Sequence, residues 1–167
     1  MALLAPHPHI DERFLADLTA EDELGVVIRA HIHVEASIIE FVRARVRFPG
    51  ELPRLTYESR LRLAMALGLK NEYFEALKLL GDIRNSFSHK LEASLSNEKI
   101  NELFSKLGQE PKELTLEAYT MTKKQRGEAD GPTFNELPPK DRFVLMAVVL
   151  KEYLTAAVHE AATEPSN

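Results

Sequence analysis

Near the middle of the chain an arginine, an asparagine and a histidine stand where a helix would gather them: Arg84, Asn85 and His89, in the run Gly81-Asp82-Ile83-Arg84-Asn85-Ser86-Phe87-Ser88-His89. Tyr73, Leu77, Leu80 and Phe87 recur at three- and four-residue steps, which predicts a helix from Asn71 onward. At about 100° per residue, Arg84, Ser88, Asn85 and His89 follow one another across an arc of roughly 140°, and Leu80, Ile83 and Phe87 take the other side. Asn85 and His89 are then one turn apart, and the long Arg84 side chain reaches over Ser88 toward either. Such a patch joins a permanent cation to an imidazole that exchanges its proton near neutral pH. Its chemistry would be charge neutralisation with proton transfer. The same pair near a helix C-terminus also suits the helix dipole and can cap carbonyls, a purely structural use.

The elements around this patch must position it. Thr19, with Asp22 three residues on, reads as the cap of a first long helix over about 20–47. Its apolar face runs Leu24, Ile28, His31, Glu35, Ile38 and Val42, widened by Val27, Val34 and Phe41. His31 and Glu35 interrupt that face one turn apart, so Glu35 is expected to hold the imidazole and raise its pKa. Glu35 is also expected to orient the Arg84 guanidinium, whose fork suits a carboxylate. Phe48-Pro49-Gly50-Glu51-Leu52-Pro53 turns the chain back. Thr56 caps a helix through Leu67, and Gly68 takes a left-handed exit. Asn71 is expected to cap the next helix, which carries the patch and weakens around 90–95, and Ser96 to cap another over 97–107, closed by Gly108. Between Gln109 and Leu137 the apolar periodicity dissolves, and this stretch, to residue 138, reads as a long loop across one side. Pro138-Pro139 and Asp141 open a last helix with the stripe Phe143, Met146, Ala147, Leu150, Leu154 and Val158.

These elements predict an all-α protein: an antiparallel helical bundle of about five main helices. A chain of 167 residues suits one domain, here 10–162, after a loose arm over 1–9 and before a disordered tail over 163–167. With no cysteine there is no disulfide, thiol catalysis or thiolate metal site, and a reducing cytoplasm is permitted. His7 and His9 lack a third ligand in view, and no metal or cofactor is expected. The start resembles no signal peptide, and no segment approaches the roughly 20 apolar residues of a span, so a cytoplasmic protein without membrane contact is expected.

The net charge of −5 argues against a general nucleic-acid coat. Local charge differs: between Arg43 and Arg62 six arginines (Arg43, Arg45, Arg47, Arg54, Arg60 and Arg62) face only Glu51 and Glu58. Arg43, Arg47 and Arg60, with Lys123, Lys124 and Arg126 from the 109–138 stretch, are the candidate nucleic-acid contacts. Ordinary solvation of helix ends is their simpler use.

Two resemblances add to this reading. The block Tyr57-Glu58-Ser59-Arg60-Leu61-Arg62-Leu63-Ala64-Met65-Ala66-Leu67-Gly68-Leu69, the later Arg84-Asn85-Ser86-Phe87-Ser88-His89, and then Leu95-Ser96-Asn97-Glu98-Lys99-Ile100 resemble the mannitol operon repressor family, in outline over 20–162 and most closely over 56–105. That resemblance implies an all-helical regulatory protein without a DNA-reading helix-turn-helix, whose contacts extend to other proteins. Arg84, Asn85 and His89 also resemble the R-x4-6-H motif of HEPN-superfamily ribonucleases, and Glu35 is similar to an acidic residue on an earlier helix of some members. This second resemblance implies a homodimer whose two motifs face one cleft and cut RNA without metal, as toxins or defence proteins do. Arg84 would then stabilise the phosphorane charge, His89 would act as base or acid, and Asn85 would orient one of them. Asp82 and the acidic chain stand against capture of such a substrate.

Overall fold

The computed structural model describes residues 12–90, 92–128 and 130–163. Among them are seven α-helices and no strand: α1 (Glu12–Thr19), α2 (Glu23–Arg45), α3 (Tyr57–Ala66), α4 (Phe74–His89), α5 (Asn97–Lys106), α6 (Gln109–Arg126) and α7 (Pro139–Thr163). Single 3-10 turns occupy Pro49–Glu51, Asn71–Tyr73 and Phe134–Glu136. The arm over 1–9 and all but the first residue of the tail over 163–167 lie outside the described residues.

Local chemistry explains most boundaries. The Thr56 hydroxyl accepts from Ser59 N at 3.2 Å and the Ser96 hydroxyl from Lys99 N at 3.3 Å, each satisfying an amide that the first helical turn leaves open. Gly68 exits α3 at φ 101, a conformation that a side chain would oppose. Pro139 begins α7, where its missing amide is not needed. Asp22 rather than Thr19 caps α2, its Oδ1 accepting from Gly25 N at 2.8 Å. Asn71 opens a 3-10 turn and no side chain caps α4. Gly108 stands at φ −60 as the N-cap of α6 instead of a left-handed exit from α5.

The largest departure from expectation is α6, which replaces the long loop predicted over 109–138. Its inward positions are Pro111 and Thr115, both buried, with Ala118, Tyr119 and Thr122 half-buried, so an apolar stripe is missing although a packed face is present. The Thr115 and Thr122 hydroxyls donate to the carbonyls of Pro111 and Ala118, four residues back, at 2.8 and 2.9 Å. Those bonds remove the cost of packing a polar group against α7. Pro111 is the third residue of the helix, where its amide has no intrahelical acceptor to lose.

One core joins these helices. α2 and α7 form the most extensive helix pair, and α1, α3, α4 and α5 close around them. Phe41, Ile38, Leu77, Leu80, Phe143 and Leu150 are among its fully buried side chains. The buried face of α2 comprises Val26, Val27, Ala30, His31, Val34, Ser37, Ile38, Phe41 and Val42, so the stripe predicted through Leu24 and Glu35 is rotated. Leu24 is 49% exposed and Ile32 57%.

Candidate functional site

α2, α3 and α4 pack in pairs, and a seam of polar side chains follows their junction. It starts at Gly81. A Cβ there would stand 2.6 Å from Cε1 of Tyr57, so the bare backbone of α4 is what lets the Tyr57 ring lie against it. The Tyr57 hydroxyl donates to the Leu77 carbonyl at 2.8 Å. The His31 ring meets the Tyr57 ring with centroids 4.5 Å apart and planes tilted by 45°. On the His31 side, Nδ1 lies 3.8 Å from Glu35 Oε2, and Glu35 Oε1 accepts from Arg60 Nη1. Arg60 Nη2 donates in turn to the Leu55 carbonyl at 3.1 Å, which anchors the guanidinium at the mouth of α3.

The electrostatics follow from burial and these neighbours. Burial lowers the His31 pKa from its usual 6.5, and the nearby Arg84 cation lowers it further; the Glu35 carboxylate opposes both without prevailing. The expected rise is therefore reversed, because the ring is only 5% exposed and desolvation outweighs a carboxylate that is not in hydrogen-bond contact. The Tyr57 hydroxyl is pushed well above its usual 10, by burial first and then by Glu35 and Asp82. Both rings are thus neutral and hydrogen-bonding or stacking groups at ordinary pH.

The predicted motif residues divide between two settings. Arg84 is half-buried at the seam; its Nη1 donates to Asn85 Oδ1 at 3.2 Å, and the Ser88 hydroxyl donates to the Arg84 carbonyl at 3.1 Å. Glu35, expected to orient Arg84, engages Arg60 instead. His89 is exposed and lines a groove of about 500 Å³ together with Asp22, Glu23, Leu24, Phe87 and Lys90. Glu23 is itself tied down, its Oε2 accepting from Leu95 N at 3.0 Å. Asn85 and Ser88 are exposed between the two settings.

The basic candidates are partly spoken for. Arg43, in the last turn of α2, and Arg47, just past its end, are exposed, the latter lying over the Phe48 ring at 5.5 Å, and Arg60 belongs to the seam. Lys123 donates to the carbonyls of Gly131 and Pro132 at 2.6 and 3.1 Å and so braces the turn after α6, while Lys124 is exposed. The Arg126 side chain lies outside the described residues. Among the described residues no group of three His, Asp or Glu side chains could hold a metal ion, and no helix is long and apolar enough to cross a membrane.

Sequence reasoning missed Tyr57 and Gly81 as seam partners. A glycine inside a helical run is a signal for close approach, but its partner is 24 positions away and no local pattern names it. It missed Arg142 as well. This arginine is 2% exposed and donates through Nη1 to Asn101 Oδ1 at 2.8 Å and through Nη2 to Asn97 Oδ1 at 2.5 Å. Compared with family models, curated proteins and solved structures, the chain matches none of them.

Proposed function

We propose that this chain is a cytoplasmic regulatory protein that acts by binding, of the kind its resemblance to mannitol operon repressors implies, and that it works as a homodimer. Its helices then form an antiparallel bundle of HEPN-like type, without a helix-turn-helix. The observation that carries this reading is the separation of Arg84 from His89. The half-buried Arg84 guanidinium is held by Asn85 and reaches His31 only through its charge, whereas the exposed imidazole lines a groove shared with the carboxylates of Asp22 and Glu23. A phosphodiester in that groove would meet two carboxylates against the cation of Lys90, a net negative lining that opposes its charge. A net charge of −5 favours a protein as the regulatory partner over RNA.

The second reading is a metal-independent endoribonuclease of HEPN type, toxin-like or defensive. It is favoured by the Arg84–Asn85 hydrogen bond and by the exposure of Asn85, Ser88 and His89 along one flank of α4. One experiment separates the two. Purified protein, with Arg84→Ala and His89→Ala beside it, is incubated with a mixed RNA pool in EDTA at pH from about 6 to 8, the range where a histidine pair would work. Intact RNA in every lane is the expected result. Cutting by the wild type that both substitutions abolish would replace the binding reading with the enzyme.

A further inference from the structure

We infer that the solvent-facing stripe of α2 is the surface on which a second copy of this chain docks, with the two α2 helices antiparallel. The inference rests on the proposal above that the chain forms a homodimer, and adds where and how. Leu24 and Ile32 are 49% and 57% exposed, Ile28 and Ile39 are half-buried and Ala36 is exposed. At about 100° per residue these five fall within roughly 120° of one another on the side of α2 turned away from its buried face. A monomer has no use for two exposed and two half-buried large aliphatics gathered on one arc.

Charge identifies the occupant. Arg29 and Glu40 lie together on one flank of the stripe, and both are exposed. Arg29 is 2.7 Å from Glu21, while Glu40 has no ion pair among the described residues. A two-fold axis beside Val34 brings Ile32 of one chain onto Ala36 of the other, the small side chain making room for the large one. The same axis carries the Arg29 of each chain to the Glu40 of its partner within about one residue rise of 1.5 Å, a gap two long side chains span. Leu24 then meets the aliphatic stem of the partner's Arg43, whose charged end reaches the acidic start of α2 at Asp22. A parallel two-fold would instead carry this flank of the two chains to opposite sides of the contact, so that neither Glu40 meets an Arg29. The stripe is thus self-complementary in one direction only. Because Glu35 and His31 border it, the docked copy would lie along the seam and bring the two Arg84-bearing sites to one face of the assembly.

Sedimentation of the full chain tests self-association, and a dimer is expected. Ile32→Lys, at an exposed site, should yield a monomer with unchanged helical circular dichroism, and Glu40→Arg should weaken the dimer at least tenfold by setting like charges together. Orientation is read by cross-linking, which the absence of native cysteine makes clean. A short bismaleimide should join Ala36→Cys into a covalent dimer and leave Leu24→Cys uncoupled, since antiparallel helices hold the two Leu24 positions roughly 30 Å apart. A wild-type chain still monomeric at about 1 mM would overturn both the homodimer and its surface. A dimer that survives Ile32→Lys, or that couples as well through Leu24→Cys as through Ala36→Cys, would overturn the surface alone.

Discussion

Gly81 and Tyr57 occupy one another's space: the ring fills the volume that a Cβ on residue 81 would need, 2.6 Å from its Cε1. Neither partner can yield easily. The ring is held by its hydroxyl on the Leu77 carbonyl and by the His31 ring, and Gly81 sits inside a continuous helix. Gly81→Ala should therefore destabilise the protein by about 1–3 kcal/mol, the usual cost of overpacking, although the same change in a free helix stabilises by up to about 1 kcal/mol. In a Tyr57→Ala background the sign should reverse. Urea denaturation of the four proteins in that cycle measures it.

His31 makes stability depend on pH. Its pKa is held below 6.5 in the folded chain, so the unfolded chain binds the proton more readily. The contribution of the neutral ring is fully present above 6.5 and is lost as pH falls from there toward the depressed folded value, below which it levels off. Denaturation midpoints across that window should fall with acidity in the wild type. His31→Gln should flatten the slope.

Two neighbours pull that same pKa in opposite directions. Glu35→Gln removes the carboxylate that raises it and should move the His31 titration down, whereas Arg84→Gln removes a cation and should move it up. Following the imidazole protons by NMR gives both signs. If Arg84→Gln leaves the titration unmoved, Arg84 does not belong to the seam.

Arg142 is a buried cation answered by two amides rather than a carboxylate. Truncating it to alanine would remove two charge-assisted hydrogen bonds and leave a cavity, while the exposed Asn97 and Asn101 amides turn to water, for a loss of roughly 2–4 kcal/mol in chemical denaturation. Arg142→Met restores volume without charge and should recover part of that loss, since a buried charge of this kind is costly to desolvate.

What was legible in the residues alone was what depends on neighbours within one helical turn. The caps at Thr56 and Ser96, the glycine exit at Gly68 and the proline start of α7 each satisfy an amide, a carbonyl or a torsion angle of their own segment. Local spacing also put Arg84, Asn85, Ser88 and His89 together in one helix. Packing decided the rest. Which arginine receives Glu35 depended on α3 bringing Arg60 closer than α4 brings Arg84, and the His31 pKa depended on how deeply three helices bury one ring. The helix over Gln109–Arg126 was hidden because its threonines satisfy themselves and need only a partner surface, which α7 supplies. The sequence could mark Leu24 and Ile32 as apolar and helical; only the tertiary structure turned them to solvent, because α2 has one face and the core took the arc beside them.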